Sequence, residues 1–148
     1  MYNTYVNDKA APRVGLVDLL HAAEAAHAHV ETRLAALGLS IPKLAALHHL
    51  AEAGDSMPLG QLAERLACVK SNITQLVDRL EADGLVTREA DPNDRRSRLA
   101  VMTAAGRKAY EQGFRVQEQS EREIFSALSE EEGRQLAALI SKVQQQAH

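Results

Sequence analysis

Apolar residues recur along this chain mostly at intervals of three and four, the spacing of helices that bury one face. From Val14 onward, Leu16, Leu20, Ala23, His27, Val30, Leu34 and Leu37 mark one stripe of a long first helix that closes near Gly38. Ser40 is placed to cap a second helix carrying Ile41, Leu44, Leu47 and Leu50, ended by Gly54. Pro58 stands where a helix start tolerates proline, and Leu59, Leu62, Ala63 and Leu66 follow at helical spacing. A few residues later Ile73, Leu76, Val77 and Leu80 form another short run that stops at Gly84. Two short helices joined by a tight turn predict a helix-turn-helix.

The pattern then changes. Residues 85–90 predict a strand, Asp91, Pro92, Asn93 and Asp94 a turn, and 99–103 a second strand, which together make a hairpin, or wing. No other segment carries a convincing β pattern. Thr103 can cap a further long helix with Tyr110, Phe114, Ile124, Phe125 and Leu128 roughly on one side, interrupted by Gln117 and Glu121. Ser129 and Glu132 form a capping box, with Glu130 and Glu131 suiting the positive end of a helix dipole. The last helix is expected to bury Leu136, Leu139, Ile140 and Val143. The fold class is therefore mainly α with a small β-hairpin. A winged helix-turn-helix over 40–103 is expected to bind DNA, and helices over 10–38 and 104–148 to form a dimerisation region, because the small winged unit cannot cover their apolar faces.

Composition narrows the partners. Of 148 residues 45% are hydrophobic but only 3% aromatic, so the core must be built from Leu, Ala, Val and Ile. A formal net charge of −3 argues against non-specific coating of nucleic acid, and any DNA contact must come from a local basic patch. One cysteine, Cys68, excludes an internal disulfide and suits a reducing compartment. No apolar run reaches membrane-spanning length, and the opening residues lack the basic and apolar regions of a secretory signal; a cytoplasmic protein with no membrane partner is expected.

The helix over 71–79 carries the candidate chemistry. With Ile73, Leu76, Val77 and Leu80 inward, Ser71 and Gln75 lie opposite the core, flanked by Asn72, Thr74, Asp78 and Arg79. Its first two outer turns offer hydroxyls and amides, with Lys70 nearby, the groups that reach base edges and phosphates in a major groove. Asp78 fits least, since a carboxylate facing phosphate is repulsive, and it is expected to pair with an arginine, Arg79 or one from the wing. Arg95, Arg96 and Arg98 stand on or beside the hairpin turn, where guanidinium groups can enter a minor groove of strong negative potential.

The segment LAERLACVKSNITQLVDRLEADGLVTREADPNDRRSRLAVMTAAG resembles the MarR family of bacterial winged-helix regulators, and with the flanking helices the resemblance covers nearly the whole chain. Its most specific part is the wing, where Asp94, Arg96, Thr103 and Gly106 match the family pattern and Met102 stands where Leu is usual. The resemblance implies Arg96 in the minor groove, with Asp94 holding its guanidinium, and Ser71, Asn72, Thr74 and Gln75 facing the major groove. It further implies a homodimer on a pseudo-palindromic operator, usually a repressor relieved by a small-molecule effector or by oxidation. Many relatives start this helix with a capping Ser where Val69 stands here.

Other chemistry is weaker. Cys68 falls in the turn of the helix-turn-helix, where an oxidised thiol could shift the recognition helix, but without a resolving cysteine a small buried side chain explains it better. His21 with Glu24, and His27 with Glu31, have spacings that could chelate a metal, although His27 also fits the apolar stripe. No Gly-rich phosphate loop, nucleophile elbow or convincing metal-ligand set supports an enzyme, and no cofactor is expected. A winged helix that docks proteins rather than DNA is the remaining alternative.

Overall fold

The computed structural model describes residues 13–66 and 72–147. Cys68, Val69, Lys70 and Ser71, and the first residues of the expected dimerisation region, lie outside the described residues. Six helices and three strands run in the order α1 (Leu16–Ala35), α2 (Ile41–Glu52), β1 (Ser56–Pro58), α3 (Leu59–Arg65), α4 (Ile73–Ala82), β2 (Val86–Asp91), β3 (Asp94–Met102), α5 (Ala104–Ile124) and α6 (Glu130–Gln146) among the described residues.

The caps behave as their residue types require. Ser40 Oγ accepts from Lys43 N at 3.3 Å, Thr103 Oγ1 from Gly106 N at 3.0 Å, and Ser129 and Glu132 complete their reciprocal capping box. Gly84, at φ 72°, turns the chain out of α4 into β2, and Leu85 N closes the turn on Leu80 O at 2.9 Å. α4 is capped later than the family pattern suggests, by Asn72, whose Oδ1 accepts from Thr74 N and Gln75 N at 3.0 and 3.4 Å.

The periodicity predicts two strands, and the structure adds a third. β1 pairs with β3 (Ser56 opposite Val101, Pro58 opposite Leu99), giving the antiparallel order β1-β3-β2. Three residues are too few to show an alternation, and Pro58 is both the end of β1 and the N-cap of α3, so its helix-start signal hides its strand role. The hairpin is also longer than expected. Asp91 pairs with Asp94, so the turn shrinks to Pro92 and Asn93, and Arg95, Arg96 and Arg98 stand on β3 itself.

One core joins these elements. Leu34 and Leu39 from the first helix and its exit meet Leu44, Leu47 and Leu50 of α2, Met57, Leu62 and Leu66, Leu76, Val77 and Leu80 of α4, and Val86, Ala100 and Met102 of the sheet. α5 buries only Gly106, Gly113 and Ser120, small residues that let its backbone come close. A Cβ on Gly113 would sit 2.8 Å from methyls of both Leu39 and Leu44. At Gly106 an added Cβ would overlap the Leu85 carbonyl oxygen and approach Met102 Cγ to 2.8 Å.

The outer helices keep much of their apolar faces exposed. α1 buries only Leu34 of its stripe, leaving Leu16, Leu20 and His27 exposed. α6 buries no residue against the rest of the described chain: Leu139 and Val143 are 57% and 53% exposed. α5 stops at Ile124, and Leu128 lies in the link to α6. These faces are apolar and without an intramolecular partner among the described residues.

Where α5 crosses α2, His48 Nδ1 lies 3.1 Å from Tyr110 OH, and the His48 and Phe114 rings are stacked 6.5 Å apart. Next to it His49 Nδ1 is buried without a hydrogen bond among the described residues; Glu52 Oε2, at 3.9 Å, is too far to supply one. The His49 pKa is lowered by this burial first, then by the charges of His48 and Arg65, with Glu52 opposing.

Two predictions follow from this packing. Gly106→Ala should lower stability by about 1–3 kcal/mol through overpacking against backbone, whereas Gly133→Ala on α6, where an added Cβ meets nothing within 4 Å, should be neutral or stabilising; thermal unfolding of both variants checks this. His49 binds its proton less tightly folded than unfolded. Its contribution to stability is therefore complete above the unfolded imidazole pKa of about 6.5 and is lost as pH falls through the lower folded value. The thermal midpoint should fall on acidification, and less steeply in His49→Gln; superimposable pH profiles would count against that origin.

Candidate nucleic-acid interface

The outer surface of α4 is built as its spacing requires. Leu76, Val77 and Leu80 are buried, while Asn72, Thr74, Gln75, Asp78 and Arg79 are exposed. Asn72 is less free than expected, because its carboxamide oxygen is committed to the cap and only its NH₂ group is left to donate outward. Arg79 and Gln75 border a cleft shared with Ser40, Pro42 and Lys43 at the start of α2. Lys43 Nζ is held there by Asp83 Oδ2 at 2.7 Å and Gly38 O at 3.2 Å, tying the start of α2 to the end of α4.

On the wing Arg95, Arg96 and Arg98 are exposed, as is Asp94. Asp94 meets Arg96 at the backbone: Arg96 N donates to Asp94 Oδ1 at 2.9 Å, while Asn93 N donates to Asp91 Oδ1 at 2.9 Å. Both carboxylates brace the hairpin tip locally, as Asx turns do. Asp94 thereby fixes the backbone from which the Arg96 side chain projects.

Asp78 finds its arginine in β2. Arg88 Nη2 donates to Asp78 Oδ1 at 2.6 Å and Arg88 Nη1 to Glu81 Oε2 at 3.0 Å, so one guanidinium spans two carboxylates of α4. The Arg88 pKa is raised by these pairings, the Asp78 hydrogen bond first. This meets the expectation of an arginine from the wing, since β2 is one of its two strands, although the sequence does not single out Arg88. A usable signal existed, since Arg88 stands two residues after the buried Val86 and so shares its inward strand face, where α4 packs.

Glu31 Oε1 accepts from Ile41 N at 2.6 Å and so satisfies the start of α2, and among the described residues no three His, Cys, Asp or Glu side chains converge. Elsewhere His29 Nε2 and Arg33 Nη1 both reach Glu123 Oε2, at 3.1 and 2.9 Å, joining α1 to the end of α5. Asp55 pairs with Arg107, which ties the turn after α2 to the first turn of α5.

Comparison with known proteins agrees with this geometry. The MarR family model matches residues 37–97. The uncharacterized HTH-type transcriptional regulator YcgE of Bacillus subtilis is 36% identical over 107 residues, covering 72% of this chain and 69% of that protein. Among solved structures, a probable transcriptional regulator from Pseudomonas aeruginosa superimposes with a TM-score of 0.77 at 30% identity, covering 88% of this chain and 96% of its own. A mutant MarR from Escherichia coli in complex with operator DNA shares the fold, with a TM-score of 0.75 at 24% identity over 86% of this chain and 92% of its own. The chain belongs to the MarR family and is a DNA-binding transcriptional regulator of the winged-helix type, not an enzyme.

Proposed function

We propose that the protein acts as a homodimer, with residues 10–38 and 104–148 forming the dimerisation region and 40–103 the DNA-binding unit, and that it represses transcription from a pseudo-palindromic operator. The observation that carries the reading is the coexistence of two surfaces. One is the polar outer face of α4 beside an arginine-bearing wing, and the other is the uncovered apolar side of α1 and α6. A two-fold dimer buries the second and presents two copies of the first. The MarR structure solved on operator DNA supports the same use of the fold.

In this reading α4 enters the major groove with Asn72, Thr74, Gln75 and Arg79, Lys70 and Ser71 contact the same DNA, and two such helices sit about one helical turn of DNA apart. Arg96 enters the flanking minor groove, and Arg95 and Arg98 contact phosphate. A small-molecule effector lodged between the dimerisation helices and the winged unit would favour a spacing that no longer fits the operator. A cytoplasmic setting suits this role. No helix among the described residues is long and apolar enough to cross a membrane.

The test is a gel shift of the purified protein on the DNA upstream of its own gene, titrated with salt. A DNA reader should lose affinity steeply as salt rises, whereas unshifted DNA across the range would favour a protein-docking role. Arg96→Ala should weaken binding by about 1–3 kcal/mol, and unchanged affinity at near-physiological salt removes the wing from the reading. Leu139→Glu should convert a dimer to monomer in sedimentation velocity and abolish the shift; a dimer that survives the substitution would place the interface elsewhere.

A further inference from the structure

Asp78 is the feature of α4 that the proposed role does not absorb. It lies four residues after Thr74 and three after Gln75, and so on the strip of helix that these two side chains present outward. Its side chain is 59% exposed. An acid in that place opposes the approach of a phosphate backbone.

Arg88 answers it from the neighbouring strand. Its side chain is only 24% exposed, and it shares a small hollow with Leu59, Ile73, Thr74 and Val77, so its stem is packed while its guanidinium emerges against α4. From there it makes the 2.6 Å contact with Asp78 and the 3.0 Å contact with Glu81, which lies almost a turn further from the start of the helix. Ion pairs open to solvent on one side add little to folding stability. Their larger effect is on the field in front of the helix, and on the direction in which the Asp78 carboxylate points.

We infer that Arg88 is a positioning residue of DNA recognition, which turns the Asp78 carboxylate toward β2 and neutralises it so that the Thr74 and Gln75 strip of α4 can meet phosphate-flanked bases. This inference rests on the reading of α4 as the recognition helix. Arg88 itself does not touch DNA in this role; it acts through Asp78.

The experiment measures affinity of the full chain for a duplex carrying its upstream DNA, at several salt concentrations, for Arg88→Gln, Asp78→Asn, the double variant and Gln75→Ala. Arg88→Gln should bind about tenfold more weakly at near-physiological salt, with the deficit narrowing as salt screens the freed carboxylate. Asp78→Asn should bind at least as well as the parent, and the double variant should return to within about twofold of it. A purely structural role, or a direct phosphate contact by Arg88, predicts no such rescue, and a double variant as weak as Arg88→Gln overturns the inference. Equal rescue of Arg88→Gln by Glu89→Gln, an exposed acid on the same strand, would reduce the effect to total charge and also overturn it. Should Arg88→Gln unfold at the assay temperature, the inference still requires Asp78→Asn and the double variant to bind alike. If Gln75→Ala weakens binding but Arg88→Gln does not, the inference fails alone. If neither does, the reading of α4 fails and takes the inference with it.

Discussion

The Leu85 carbonyl oxygen is the point on which the relative placement of α4, the wing and α5 depends. It accepts Thr103 N at 3.0 Å, and the missing side chain of Gly106 is what lets the first turn of α5 settle over it. Thr103 Oγ1 donates to the adjacent Gly84 O at 2.6 Å while accepting Gly106 N. Through these few atoms the end of α4, the start of β2, the end of β3 and the start of α5 share one fixed junction. α4, the wing and the long helix that leaves them cannot be re-aimed independently.

Around that junction the protein uses ion pairs as spacers between elements. Lys43 with Asp83 relates α2 to α4, Arg88 with Asp78 and Glu81 relates β2 to α4, Asp55 with Arg107 relates the turn after α2 to α5, and Arg33 with Glu123 relates α1 to α5. Each is partly open to water, so their value lies less in net stability than in fixing angles between helices packed through interchangeable leucines. A core nearly free of aromatics is geometrically permissive, and charged contacts at its rim remove that freedom.

Much of this was legible in the sequence wherever a local rule acts alone. Ser40, Thr103 and Ser129 are caps because short hydroxyl side chains before apolar-periodic runs have little else to do. Gly106 announced itself as part of a family motif, although its reason, a close backbone approach between residues far apart in the chain, needed coordinates. β1 was hidden because three residues carry no period, and the choice of Arg88 among the wing arginines because a strand arginine reads as solvated until the helix opposite is known to be acidic. The apolar stripe of α6 was legible as well, and so was the inability of the winged unit to cover it; Leu139 and Val143 stand exposed.

α5 runs for 21 residues without a break, from Ala104 at the junction to Ile124 beside the Glu123 contact with α1. At 1.5 Å per residue that is a rod of about 30 Å. Rigidly seated at one end, such a rod converts angle into displacement: a tilt of roughly 5° about its far end moves the wing and recognition helix by about 3 Å. In the proposed dimer, a disturbance too small to disrupt any core contact near α1 would therefore shift the two copies of α4 against the fixed groove spacing of a duplex, and the leverage is built into the helix length alone.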